Sequence, residues 1–314
     1  MKVVVTGAAG AIGSHLAERL ALDGHEVIGI DALTPYYDPK FKQATGKILE
    51  EKGVKMYYKN LLDEDIGEIF GGAEAVFHLA AQPGISAVTP FEDYLNNNII
   101  ATYRLLEIAK KLDSLRVFVN ASTSSIYGAF ANGSEDTVPT PTSHYGVTKL
   151  AAEQLALAHY RDKGLPVVNL RFFSVLGERE RPEKFFFKLI KSIYEDTEIS
   201  VYEGSDKHIR SYTYVGDIVD GVIKAFENYE KVLGETFNLG NDKTYTTGDG
   251  VKMVEEIMGK NAKIKLAPKR PGDQLETGAK IEKARKLLGY EPKTDLRTAL
   301  EKEIHWYGKT LYGR

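Results

Sequence analysis

Tyr145 and Lys149 stand four residues apart in the stretch YGVTKLAAEQLALAHYRDKG, whose pattern predicts a helix. Residues at that spacing share a helix face. A free phenol, with a pKa of about 10, is a poor base near neutrality. A nearby ammonium and a cationic ring both favour its phenolate. Such a pair can take the proton of an alcohol while hydride leaves the carbon that bears it. The segment ASTSSIYG lies shortly before the pair and puts Thr123, Ser124 and Ser125 in a row, three hydroxyls with no carboxylate. Thr123 can donate to the oxygen that becomes a carbonyl.

The electron acceptor is implied at the other end of the chain. TGAAGAIG sets Gly7, Gly10 and Gly13 between a predicted strand and a predicted helix, with Ala11 and Ile12 inside the same turn. Glycines there let the backbone approach a pyrophosphate, and the helix start offers free N–H groups. Asp31 ends the second strand, 21 residues after Gly10. A carboxylate at that place bonds the adenosine ribose hydroxyls and repels a 2′-phosphate, which favours NAD over NADP.

Alternating elements must carry these residues. KVVVTG, HEVIGID, AEAVFHLAA, LRVFVNAS and PVVNLRF read as strands; AIGSHLAERLALDG, a span from Asn97 to Lys111 and the Tyr145 segment read as helices. Val- and Ile-rich strands alternating with helices predict a parallel sheet covered on both faces. Beyond Phe173 the pattern changes. ERERPEKFFFKLIKSIYED reads as a helix, TYVGDIVDGVIKAFEN and ETFNLG return to strand–helix–strand, and Ala32 to Gly53 reads as a loop followed by a helix. The expected division is residues 1–173 plus 212–241 for the cofactor and 174–211 plus 242–314 for the substrate.

Composition excludes other classes. The 314 residues are 43% hydrophobic and 27% charged, with a net charge of −3. No basic stripe suits a nucleic-acid backbone, and no apolar run is long enough to span a membrane. Without a cysteine there is neither disulfide nor thiol chemistry, and a cytoplasmic setting is expected. The seven His show no metal-ligand spacing, and His78, after AVF, reads as a core residue.

The glycine loop together with YGVTK resembles the extended short-chain dehydrogenase/reductase superfamily, over nearly the whole chain. The resemblance implies a Rossmann-type doubly wound α/β sheet with a smaller, interleaved C-terminal α/β substrate domain. It implies that Asn60 and Leu61 flank the adenine, that Leu79, Ala80 and Ala81 line the cofactor groove, and that Asn98 and Phe172 join them. Asn60 stands where the family usually has Asp. Lys149 would hold the nicotinamide ribose. Members that dehydrate nucleotide sugars carry an Asp-Glu pair after the Thr, and related decarboxylases keep a Glu there. Ser124 and Ser125 occupy those places here, so epimerisation by oxidation and re-reduction of one carbinol is what remains.

RFFSVLGERERPEKFFFKLI resembles the nucleotide-sugar epimerase branch, in particular the UDP-glucuronate 4-epimerases, which read R-Y-F-T-V-Y-G-x-x-x-R-P. Arg171 begins the motif, Ser174 replaces the usual Thr near the reacting C4, and Arg181 falls on the Arg expected to hold the C6 carboxylate. Leu176 replaces an aromatic, and Ser86 stands where an Arg often follows A-A-x-P-G. Arg210 and Arg270 resemble the arginines that clamp the diphosphate of a UDP-sugar, with Asp273 on the uridine ribose and Phe186, Val201 and Tyr202 as further substrate-binding residues. The resemblance also implies a homodimer through helices near 97–111 and 145–163. Two other readings stand beside this one: an epimerase of UDP-glucose or a UDP-N-acetylhexosamine, and a non-catalytic NAD-binding protein.

Overall fold

A computed structural model describes residues 1–86, 88–269 and 274–313. Seven parallel strands build the central sheet: β1 Lys2–Thr6, β2 Glu26–Ile30, β3 Lys55–Tyr57, β4 Ala75–His78, β5 Val117–Thr123, β6 Val167–Phe172 and β7 Thr236–Leu239. Their spatial order is β7-β6-β5-β4-β1-β2-β3. Successive side chains of a strand point to opposite faces. Val3 and Val5 therefore pack with Leu16, Phe77 and Val119 on one side. Val4 packs with Ile28, Val76, Phe118, Phe70 and Leu105 on the other. This double burial is why these strands read as continuous apolar runs.

The longer helices are α1 Ala11–Leu22, α2 Pro39–Glu51, α3 Ala101–Ala109, α4 His144–Lys163, α5 Phe185–Glu195, α6 Val215–Glu227, α7 Thr247–Met258 and α8 Leu296–Tyr312. The α4 helix starts where the Ser143 side chain accepts from the Gly146 N–H and ends at Gly164, whose φ of 68° suits a left-handed cap. The expected helix from Asn97 to Lys111 is the later part of a continuous helical run that starts at Phe91 and changes type along its length. Phe91–Tyr94 is α-helical, Leu95–Ile100 is a π-helical turn, and α3 ends at Ala109. Similarly, the helix expected from Glu178 onward begins only at Phe185, so residues 178–184 form a loop.

After β6 the chain leaves the sheet, forms α5, and returns through α6 to β7 beside β6. It then leaves again for α7 and α8, which share an apolar core with α5 built on Phe187, Leu189, Ile190, Val254, Leu300 and Tyr307. Contacts from α5 and from the loop before it tie this part of the chain to the sheet side. Phe41 of α2 packs edge-on against Phe187, with ring centroids 5.8 Å apart, and Arg179 pairs with Glu18 of α1 at 2.7 Å. The order in which the chain adds strands reverses at β1, and the carboxyl ends of β1, β2, β4, β5 and β6 open together on one crevice, the usual ligand place in such a sheet.

Candidate active site

That crevice is a cleft of about 1010 Å³. One wall is the glycine loop. Gly7 has φ +70°, and a Cβ on it would come within 2.8 Å of the Ala80 nitrogen; a Cβ on Gly13 would lie 2.1 Å from the Gly7 carbonyl oxygen. Both glycines are thus required for β1 and α1 to close up on each other. Gly10 caps α1 with no side-chain acceptor, and Ala11, Ile12 and Gly13 line the cleft at the helix start. The first N–H groups of a helix have no partner within it. This arrangement is a cradle of backbone donors with a partial positive charge. Asp31 stands beside it, 6% exposed, accepting from the Ala9 N–H at 3.1 Å and the Leu33 N–H at 2.9 Å. Asn60, Leu61, Leu79, Ala80, Ala81 and Phe172 complete this end of the lining. The residues present fit a dinucleotide.

Asn98 is a correction. It does not line the cleft; its carboxamide is consumed by both the N–H and the carbonyl of Gln82 and by Thr148. The π-helical turn that carries it makes Asn98 a brace between the Gln82 segment and α4, and Asn97 faces the cleft instead. His78 is a core residue, as expected. Its Nδ1 meets the Thr6 hydroxyl and its Nε2 the Thr102 hydroxyl, each at 2.9 Å. Burial, and then the Lys149 charge, push its pKa down to about 3, so the ring is neutral.

Thr123, Ser124, Ser125, Tyr145 and Lys149 all line the cleft. Thr123 ends β5 and its hydroxyl bonds the Tyr145 phenol. Burial raises the Tyr145 pKa; the Thr123 bond and the charge of Arg181 pull it back. Sequence reasoning gave that electrostatic task to Lys149 together with the cationic ring of the cofactor. Among the described residues the cation acting on the phenol is Arg181. Burial also lowers Lys149 to about 8, with Glu153 opposing that fall. Glu153 itself is spent on Arg171, which it meets through Nη2 at 2.6 Å and Nε at 3.0 Å, and on Ser122 at 2.7 Å. Arg171 therefore does not reach the cleft. With both partners buried, the pair fixes α4 on β5 and β6, and so fixes where Tyr145 and Lys149 point.

The opposite wall comes from the 178–184 loop and α5. Arg181 lies in that loop with Nη1 2.7 Å from Oε1 of Glu183. Its guanidinium carbon sits 5.9 Å from the Tyr36 ring centroid, and the Gly84 backbone closes on it. The loop is held under strain. Arg179 has a left-handed φ of 61° while it pairs with Glu18. Beneath the loop Glu180 pairs with Lys184 at 3.0 Å. Glu303 of α8 is fully buried against Glu180; burial first, and that neighbouring charge second, hold it well above the usual carboxyl range.

Ser174, Phe186, Val201, Tyr202 and Arg210 also line the cleft. Arg210 donates to the carbonyls of Ile209 at 2.9 Å and Gln274 at 2.5 Å. Arg270 and Asp273 lie outside the described residues. Sequence reasoning missed Tyr36, Tyr37, Lys42 and Gln82, all in the lining. The one signal for three of them was an aromatic pair and a Lys in the unassigned stretch after Asp31.

Comparisons with known proteins agree with this geometry. Residues 3–240 match the NAD dependent epimerase/dehydratase family. A Bacillus subtilis protein named as the uncharacterized UDP-glucose epimerase YtcB is 39% identical over the full length of both chains. UDP-glucuronate 4-epimerase 4 of Arabidopsis thaliana is 36% identical, with 97% of this chain and 75% of that protein covered. The crystal structure of UDP-glucuronic acid 4-epimerase from Bacillus cereus, in complex with UDP-glucuronic acid and NAD, superposes with a TM-score of 0.94 at 36% identity, covering 98% of this chain and 99% of that one.

Proposed function

Because the chain belongs to the NAD-dependent epimerase/dehydratase family, we propose that it is an isomerase, the 4-epimerase that interconverts UDP-glucuronate and UDP-galacturonate. One observation carries the reading. Three hydroxyl residues, Thr123, Ser124 and Ser125, line the cleft together with Tyr145, and among the described residues the cation that lowers that phenol's pKa is Arg181. The first half provides for oxidation without elimination; the second supplies a counter-charge for a carboxylate next to the reacting carbon.

Bound NAD would supply the hydride acceptor, and then donor, for oxidation and re-reduction at C4 of the sugar. The chain's own residues do the rest. Gly7, Gly10, Ala11, Ile12 and Gly13 hold the pyrophosphate, and Asp31, Asn60 and Leu61 hold the adenosine. Lys149 holds the second ribose. Tyr145 removes the C4 hydroxyl proton through a bond shared with Thr123, and later gives it back. Ser124, Ser125, Ser174 and Arg181 grip the C6 carboxylate. That grip matters because a 4-keto uronate is a β-keto acid. It loses CO₂ when the carboxylate bond lines up with the carbonyl π system, so the residues must keep it out of line while the sugar turns. Arg210 takes the diphosphate, and Phe186, Val201 and Tyr202 the uridine end. Residues 1–173 plus 212–241 are assigned to the cofactor and 174–211 plus 242–314 to the sugar nucleotide. Exposed Ile100, Tyr103 and Val147 on neighbouring helices support a homodimer through that face.

A neutral UDP-hexose is the second reading. It is supported by the Bacillus subtilis relative and by Glu183, which already gives Arg181 a carboxylate. The test is incubation with UDP-glucuronate and, separately, UDP-glucose, with products resolved by NMR. UDP-galacturonate should form from the first far faster than UDP-galactose from the second. The opposite ranking would overturn the uronate assignment.

A further inference from the structure

Tyr36 lies on the segment between β2 and α2, and the mechanism above leaves it unused. It lines the cleft, as Arg181 does. The two side chains come from different walls, Tyr36 from just beyond Asp31 and Arg181 from the loop before α5. They meet nevertheless. The Arg181 guanidinium carbon lies 5.9 Å from the Tyr36 ring centroid, and Arg181 donates a hydrogen bond to the phenol oxygen. Gly84 closes on both. It has φ +81°, and a Cβ on it would come 3.6 Å from the Tyr36 hydroxyl oxygen and 3.7 Å from Nη1 and Nη2 of Arg181. Tyr94 holds that turn by donating to the Gly84 carbonyl at 2.8 Å, and its ring centroid is 6.4 Å from that of Tyr145. Phenol and guanidinium thus converge on one patch of backbone, a single ring away from the base.

The direction of the Tyr36 bond decides what the phenol can do. A guanidinium has donors and no acceptor, so the Tyr36 oxygen takes the accepting side and keeps its own O–H to give. Burial first holds the Tyr36 pKa above the ordinary phenol value, against the pull of Arg181, so the group is a neutral donor near pH 7. A donor polarised by a cation bonds an anion more strongly than a neutral hydroxyl. Glu183 shows where an anion sits here. Its Oε1 is 2.7 Å from Nη1 of Arg181, and its charge also acts on Tyr36. A carboxylate brought to Arg181 therefore comes within the reach of Tyr36.

We propose that Tyr36 is a further specificity-determining residue: its O–H, backed by Arg181, donates to the C6 carboxylate of the sugar nucleotide and so favours a uronate over a neutral hexose. The inference rests on the uronate reading. It adds a donor from the cofactor side of the cleft to the grip of Ser124, Ser125, Ser174 and Arg181.

The experiment measures kcat and KM of the NAD-loaded protein on UDP-glucuronate and on UDP-glucose, for the parent, Tyr36→Phe and Tyr36→Leu. Tyr36→Phe keeps the ring beside the guanidinium and removes only the hydroxyl. It should raise KM for UDP-glucuronate about tenfold, the loss of one hydrogen bond to a charged group, and leave kcat and both constants on UDP-glucose within about twofold. Tyr36→Leu also removes the ring face and should lose about a further threefold on the acid alone. NADH affinity, followed by nicotinamide fluorescence, should be the same in all three proteins. A Tyr36→Phe variant with parental KM on UDP-glucuronate overturns the proposal. So do equal losses on both sugars or a weakened NADH complex, since either marks Tyr36 as support for its own segment only. A parent that prefers UDP-glucose fails one step earlier: it removes the uronate reading itself, and the inference with it, whatever Tyr36→Phe does.

Discussion

Arg181→Ala tests the sugar assignment most sharply. The Arg181 side chain is 21% exposed and holds Glu183, itself 28% exposed, at 2.7 Å. An incoming uronate must take over part of that bond, and a charge-assisted bond to a carboxylate is worth roughly 1.5–3 kcal/mol. Removing Arg181 has a second effect that a surface arginine would not have. Glu183 stays in the cleft lining without its counter-charge, facing the substrate's carboxylate. Two like charges about 6 Å apart at an effective dielectric near 20 repel by roughly 2–3 kcal/mol, and half of that if water enters. Catalytic efficiency on UDP-glucuronate should therefore fall by about 10²- to 10⁴-fold. Arg181 also lowers the Tyr145 pKa, so UDP-glucose should lose a smaller, common factor of about tenfold or less. The assay is kcat/KM on both sugars for the parent, Arg181→Ala, and Arg181→Ala with Glu183→Gln. The double variant should recover about tenfold on the uronate alone. The single variant should also release some CO₂ and leave a pentose nucleotide, because the unclamped carboxylate can swing into line with the keto group. Equal losses on both sugars, no recovery in the double variant and no pentose product would refute the reasoning.

The remaining expectations concern the base, the buried lysine and the redox cycle. Tyr145→Phe should cut kcat by about 10²- to 10⁴-fold with NADH affinity nearly unchanged; near-parental turnover would move the base elsewhere. Lys149 falls from 10.5 to about 8 on folding, chiefly through burial. Below pH 8 the folded chain thus carries a penalty of roughly 3 kcal/mol for the buried ammonium, which fades as pH rises from about 8 to 10.5, where the unfolded chain also gives up its proton. Lys149→Met should therefore raise the ligand-free Tm by ~4 °C at pH 7, measured by calorimetry, and lose that advantage toward pH 10 while abolishing turnover. An unchanged Tm at pH 7 would contradict the burial argument. During turnover on UDP-glucuronate, absorbance at the NADH band should not grow in proportion to product, since hydride returns within the same cycle; steady growth would mark a dehydrogenase.

What the sequence determined by itself is local in origin. Alternating apolar patterns are set by a strand period of two and a helix period near 3.6, so β1, β2, β4, β5, β6 and α4 could be read directly. The glycine loop is a sterically dictated turn, and Tyr145 and Lys149 share a face because four residues make about one helical turn. Boundaries and roles that depend on distant neighbours were decided by the tertiary structure. Asn98 reads as a cofactor ligand until the π-helical turn directs it to Gln82 and Thr148. Arg171 opens a substrate motif yet is buried on Glu153, because β6 runs beneath α4. The charge that reaches the Tyr145 phenol comes from Arg181, 36 residues away in a loop that local pattern had assigned to a helix. Lys42 meets Asp31 only because α2 folds back across the end of β2. Electrostatic partners are chosen by distance through space, and sequence spacing reports that distance only inside a single helix or strand.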